Sequence, residues 1–266
     1  FMSQEDLNCS LVGVCDLFDV RANQAIDASQ NEVRPGEKPK KVAVRYRHYK
    51  ELLANMNIDA VIVATPDHWH SRITIDAAKA GKHVYCEKGL TRTFDEALNV
   101  YDTVKRTGIT LQLGHQNRQV EANEKAKQII DQGLLGPINL IELTTNRNSP
   151  WGAWVWTIHP DGNSKTIDWD TFQEPSPNKI PFGEEALRRF FRWRCWYDYG
   201  TGLSGDLFSH DFDATNQIMD LGIPKYASSS GGIYFYKDGR DVPDVWHATL
   251  EYPEKDLTLL YSATLS

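Results

Sequence analysis

The chain has 266 residues, 41% hydrophobic and 24% charged, enough for one large or two ordinary domains with a sizeable core. A net charge of −7 with no basic stripe argues against a nucleic-acid partner, and no apolar run reaches the length of a membrane span. Four cysteines without paired spacing point to a reducing compartment, hence the cytoplasm by default; the abrupt opening on Phe1-Met2-Ser3 leaves an exported or periplasmic protein open, should a signal have been lost.

Residues Leu11–Cys15 read as a buried strand ending at Asp16. A carboxylate at that place in a dinucleotide fold can accept the adenosine ribose hydroxyls and would repel the 2′-phosphate of NADP, so Asp16 favours NAD. The plainer reading is that Asp16 or Asp19 caps the next helix, and for Asp19 we take the plainer one. Residues 31–41 form a polar loop, and Tyr46, Tyr49, Leu53 and Met56 recur at helical spacing over 46–56. Two apolar runs, Val61–Ala64 and Val84–Cys86, read as strands buried on both faces. Between them lies a helix from Asp67 to Gly81, making a βαβ unit. Its strands run into polar residues, Thr65-Pro66-Asp67-His68 and Glu87-Lys88, at the carboxyl ends where open α/β sheets bind ligands. Thr93-x-x-Glu96 is a capping box for a helix stopped by Gly108, and Ile109–Leu113 is a further strand ending at Gly114-His115. Strict alternation of strand and helix predicts an α/β, doubly wound parallel sheet. A glycine-rich phosphate turn, G-x-G-x-x-G, stands nowhere in the chain.

The run 58–89, IDAVIVATPDHWHSRITIDAAKAGKHVYCEKG, resembles the nucleotide-binding half of the Gfo/Idh/MocA oxidoreductases, the group of glucose–fructose oxidoreductase and inositol dehydrogenases. The family's Glu-Lys-Pro appears as Glu87-Lys88-Gly89, and the likeness continues through Gly114–Arg118 into the second half. It implies a Rossmann-like domain over residues 1–117 and an incomplete α+β domain for substrate and oligomerisation over 118–266. It also implies a chain cut at its N-terminus and at its C-terminus. NAD is the implied cofactor, with Asp16, Thr65, Pro66, His70, Glu87, Lys88 and Asn117 around it.

In the second half, 119–133 reads as a helix and Ile138–Thr145 as a half-exposed strand. Residues 146–199 are loop-rich and aromatic, and such rings stack on sugars but more often fill core. After Gly200–Gly205 a helix runs to Asp220, carrying Asp206 and His210 four residues apart. That spacing places them on one face, where a carboxylate can orient an imidazole for proton transfer; a helix-dipole Asp and a buried His are the alternatives. The family likeness favours catalysis, with Lys88 meeting both and Trp193 beside the substrate. A metal held by Asp206, His210 and His115 suits ligand type, but no Cys or His spacing supports it and none is expected. Strands over 227–236, 245–252 and 257–263, joined by hairpin-like links, predict an open antiparallel sheet and a homodimer or homotetramer through it.

Three functions fit. The first is NAD-dependent oxidation of a secondary alcohol of a sugar or polyol. The second is glycoside cleavage or epimerisation through transient oxidation, and the third a non-catalytic fragment or binding protein of this fold. In the doubly wound order the central first strand is missing from these residues. The strands 11–15 and 61–64 should then be either unpaired across a slot of roughly 10 Å or closed up, and NAD affinity of the chain alone should be poor.

Overall fold

The computed structural model describes residues 9–30 and 42–265. The expected helix-like start at 1–7 and the polar loop 31–41 lie outside them. Two parallel sheets make up the first half. One pairs β1 (Gly13–Cys15) with β2 (Val44–Tyr46), with α1 (Asp19–Ala28) between them in sequence. The other has the order β3–β4–β5, from Ala60–Val63, His83–Glu87 and Leu111–Gly114. Helices α2 (Tyr49–Leu53), α3 (Asp67–Lys79) and α4 (Phe94–Thr107) connect them. Among the described residues no pairing joins β1 to β3, as the unpaired one of the two expected arrangements requires. That unpaired edge corrects one reading: β3 is not buried on both faces, and Ile62 is 61% exposed.

Local chemistry explains the elements. Thr93 accepts the Glu96 N–H at 3.2 Å while the Glu96 carboxylate takes the Arg92 N–H at 2.6 Å, so the capping box forms one residue wider than drawn. Gly108 ends α4 at φ 70°, a left-handed conformation that favours glycine. The helix expected over 46–56 is shorter. Tyr46 belongs to β2, His48 caps α2 by accepting the Lys50 N–H, and Met56 is 85% exposed. Asp19 does not cap α1. Its N-cap is Phe18, and it is Asp16 that accepts the Phe18 N–H, at 2.8 Å.

Helix α5 (Glu121–Asp131) leads into β6 (Leu140–Asn146), whose side chains alternate between exposed and half-buried. The aromatic stretch that follows holds two helices, α6 (Trp169–Phe172) and α7 (Glu184–Phe191), and most of its rings are structural. Trp154, Trp169, Trp196 and Tyr199 are 4% exposed or less and share one core with Phe18, Phe190 and Phe191. The segment that carries Asp206 and His210 opens on a π-helical turn, Ser204–Phe208, and continues as α8 (Ser209–Met219). Strands β7 (Tyr226–Gly232), β8 (Val245–Tyr252) and β9 (Leu257–Thr264) complete a sheet of order β6–β9–β8–β7. It is mixed rather than antiparallel, because β6 runs parallel to β9. β7 also stops at 232: the N–H groups of Tyr234, Phe235 and Tyr236 turn in to the buried Asp244 carboxylate at 2.7–2.8 Å.

The two halves are stitched together. Phe18, from the β1–α1 turn, is 1% exposed and sits edge-on to His159, Phe190 and Phe191 in the second half's core. Beside it, Ile167 forms an isolated bridge to Phe18, with Asp19 N–H to Thr166 O and Asp168 N–H to Leu17 O, both at 2.9 Å. Further along, His68 Nε2 and Trp69 Nε1 of α3 both donate to the Phe172 carbonyl, at 2.7 and 3.0 Å.

Candidate active site

Parallel strands put the carboxyl ends of β3, β4 and β5 side by side, and with them Thr65, Glu87-Lys88 and His115. The second half brings the π-helical turn and α8 to this edge. Lys88 Nζ donates to Asp206 Oδ1 at 2.5 Å and to the Asp206 carbonyl at 2.8 Å. Both side chains are deep, at 10% and 7% exposure. A third group enters here: Arg194 Nε donates to the same Oδ1 at 3.0 Å. Burial alone would raise the Asp206 carboxyl, but Arg194 and Lys88 outweigh it and hold it below its ordinary value. Asp206 is an anion between two cations.

His210 lies next along α8 and is half-buried. Burial, Lys88 and His115 push its ring below the ordinary histidine value, against Asp206 and Asp211. Asp206 does not orient the ring by a hydrogen bond, as the i,i+4 spacing suggested, since its Oδ1 serves Lys88 and Arg194. The His210 Nδ1 is enclosed with no partner among the described residues. His115 from the end of β5 meets it edge-on, with ring centroids 6.1 Å apart, and its Nδ1 is equally enclosed and unpartnered. Burial, Arg118 and Lys88 lower His115 too, against Asp213 and Glu87. Two neutral imidazoles thus face one another beside a lysine. The described residues hold no cluster of three or more His, Cys, Asp or Glu arranged for a metal ion.

The loop before the π-helical turn is fixed to α3. Thr201 Oγ1 donates to Asp67 Oδ2 at 2.6 Å, and the His68 N–H to the Tyr199 carbonyl at 3.2 Å. Gly205 is required there, because a Cβ would stand 2.3 Å from the Thr201 side chain. Arg118 of the turn after β5 grips Asp213 of α8 with Nε 2.9 Å from each carboxylate oxygen. The Lys88–Gly89 peptide that follows β4 is cis.

Among the residues expected around a cofactor, Thr65 keeps an enclosed, unpartnered hydroxyl at the end of β3. Pro66 caps α3, and Glu87 accepts from the Gln116 amide at 3.3 Å. Asn117 is half-exposed in the turn after β5. His70 is corrected: it is 1% exposed, and its ring nitrogens lie 2.9 Å from the Gly89 carbonyl and 2.7 Å from the Thr65 carbonyl. Its ring ties the segments that follow β3 and β4, and its burial leaves no exposed surface for a ligand. Trp193 is half-buried and carries Arg194 on its ring, with the guanidinium carbon 4.1 Å from the ring centre and 5.5 Å from that of Trp156. Sequence reasoning missed Arg194; its only signal was a cation flanked by tryptophans. Asp16 lies at the end of β1, its carboxyl raised by burial against the Phe18 N–H and Arg21, and lines a cavity of about 370 Å³.

The chain has similarities among known proteins. A family model described as an oxidoreductase family with an NAD-binding Rossmann fold matches residues 3–115. Over those residues the chain matches the Gfo/Idh/MocA oxidoreductases. Levoglucosan dehydrogenase of Pseudarthrobacter phenanthrenivorans is 30% identical over 69% of this chain and 41% of its own length. Myo-inositol 2-dehydrogenase of Thermotoga maritima is 29% identical over 47% of this chain and 37% of its own. The chain thus spans less than half the length of these curated relatives. In fold, it is similar to the WlbA dehydrogenase from Bordetella pertussis in complex with NADH and UDP-GlcNAcA, with a TM-score of 0.68 at 20% identity over 96% of this chain and 64% of that one. Levoglucosan dehydrogenase in complex with NADH and levoglucosan gives 0.67 at 21% over 96% and 58%. NAD is the family's cofactor, and the residues here fit it: a half-buried carboxylate lining a cavity at one strand end, an enclosed, unpartnered hydroxyl at another. No helix of the described residues is long and apolar enough to cross a membrane.

Proposed function

We propose that the chain carries the active site of an NAD-dependent dehydrogenase acting on a secondary alcohol of a sugar or polyol. The observation that carries this reading is the ion group of Lys88 and Arg194 on the buried Asp206, beside His210 at the carboxyl ends of a parallel sheet. Asp16, Thr65, Pro66, Glu87 and Asn117 hold the cofactor. When bound, NAD supplies the acceptor for the hydride. Lys88 Nζ donates a hydrogen bond to the reacting hydroxyl and steadies the negative charge that grows on its oxygen. His210, kept neutral by burial and by Lys88, takes the hydroxyl proton at Nε2. Asp206 positions the Lys88 ammonium, and Arg194 fixes Asp206. A panel of sugars and polyols with NAD, followed by NADH absorbance, tests the reading. His210→Ala should lower turnover about 10²–10⁴-fold; an unchanged rate would remove His210 from the mechanism.

A second reading has an observation in its favour. The His115–His210 pair offers a second neutral base, which suits removal of a proton from the carbon beside a newly formed carbonyl. Glycoside cleavage or epimerisation through transient oxidation would use it, and cleaved or inverted sugar without accumulated NADH would identify it. For assembly we retain the second-half sheet as the contact surface: Leu140 and Tyr226 on its outer strands are 49% and 55% exposed.

A further inference from the structure

Asp19, the first residue of α1, clasps two arginines. Arg45 Nη2 and Arg47 Nη1 both donate to its Oδ1, the second at 2.7 Å. Arg45 holds its carboxyl below the ordinary value. All three side chains line the 370 Å³ cavity that contains Asp16, and the segment 164–170 pinned beside Phe18 forms the opposite wall. A cavity of that size falls in the range of small-molecule sites, about 300–1,000 Å³.

Dinucleotide folds read the adenosine ribose at this strand end. A carboxylate takes the 2′-hydroxyl of NAD, whereas a nearby arginine accommodates the 2′-phosphate of NADP. Here both devices stand in one cavity. An arginine fork binds phosphate well only with free donors and an uncancelled charge. Asp19 takes a donor from each arginine, and four carboxylates outnumber three cations along the lining. A phosphate of charge near −2 would enter an already negative space.

We propose that Asp19 sets cofactor choice: by engaging Arg45 and Arg47 it keeps the cavity from accepting a ribose 2′-phosphate. The proposal rests on the cofactor reading above, with the adenosine half of NAD in this cavity.

Calorimetric titration of the 266-residue chain with 5′-AMP and with 2′,5′-ADP isolates the 2′-phosphate. Wild type should bind 5′-AMP about tenfold more tightly. Asp19→Asn, nearly isosteric, should raise affinity for 2′,5′-ADP about tenfold and leave 5′-AMP within about twofold. Asp19→Asn combined with Arg45→Gln should lose the gain. Arg47 is 71% exposed, so Arg47→Gln should fold whatever Asp19→Asn does. In the wild-type background it should change 2′,5′-ADP binding by less than about twofold, because the arginine is already engaged. An unchanged preference in a folded Asp19→Asn, or a loss of about tenfold in Arg47→Gln, would overturn the proposal. If wild type binds neither probe, the adenosine half lies elsewhere and the proposal fails, while the sugar-dehydrogenase reading still stands or falls on the sugar panel.

Discussion

Lys88 and Arg194 converge on one oxygen of Asp206, and that oxygen is out of water. Asp206→Ala would leave the deep Lys88 ammonium without its carboxylate, with Arg194 half-buried beside it, and should destabilise the fold by about 3 kcal/mol in urea unfolding, besides removing activity. The pH response follows from the directions of the shifts. A carboxylate held low stabilises above its unfolded value of about 3.9 and loses that contribution as pH falls through the folded one. Histidines held low act in the same sense: neutral when folded, they disfavour the fold increasingly as pH drops below about 6.5. His68 is pushed down to about 3 by burial, against its bond to the Phe172 carbonyl. Melting temperature should therefore fall steadily from pH 7 to 4. His68→Phe should flatten the dependence of stability on pH by about 1.4 kcal/mol per unit, the share of one proton, since Trp69 still serves the Phe172 carbonyl. An equally steep profile in that variant would mean His68 is not the acid-sensitive group. At this scale Lys88, Asp206 and His210 could be named from a family pattern. Arg194 could not, because no spacing announces that an arginine near the end of a long aromatic stretch will reach a helix. His70 was misplaced because the sequence shows which strand end a residue follows, but not which side of it the ring takes.

Among the elements, the βαβ unit 60–87 and the capped helix after it were legible because each carries its own period and its own stop. β2 was not: three residues, with Val44 56% exposed, leave no pattern to read. The mixed sheet was hidden for another reason. β7, β8 and β9 pair in chain order, whereas β6 finds β9 across more than a hundred residues, a pairing that no local signal encodes. The Phe18 contact is likewise tertiary. Phe18→Ala should cost about 3–5 kcal/mol, and calorimetry should show one shifted transition. Two separate transitions, only one of them moved, would show that the halves melt independently.

At the scale of the whole molecule, β1 and β3 are unpaired edges among the described residues, and no G-x-G-x-x-G turn lies within the 266 residues to cradle a pyrophosphate. NAD should accordingly bind this chain more weakly than micromolar; tighter binding in a titration would mean that the phosphate site lies elsewhere in the fold.

The position of Phe18 also bears on how such a protein can be recombined. A crossover at residue 117 looks natural by the change in strand pattern, yet the seam of the molecule does not run there. Position 18, the bridge at Ile167, and Phe190 and Phe191 are filled by residues from both sides of that cut. A chimera taking its first 117 residues from a relative would bring a foreign side chain into the other parent's core. Exchanges that carry 17–20 together with 159–172 and 190–191 should keep their solubility on expression, and those that divide the group should lose it. Inheritance here follows the packing rather than the chain.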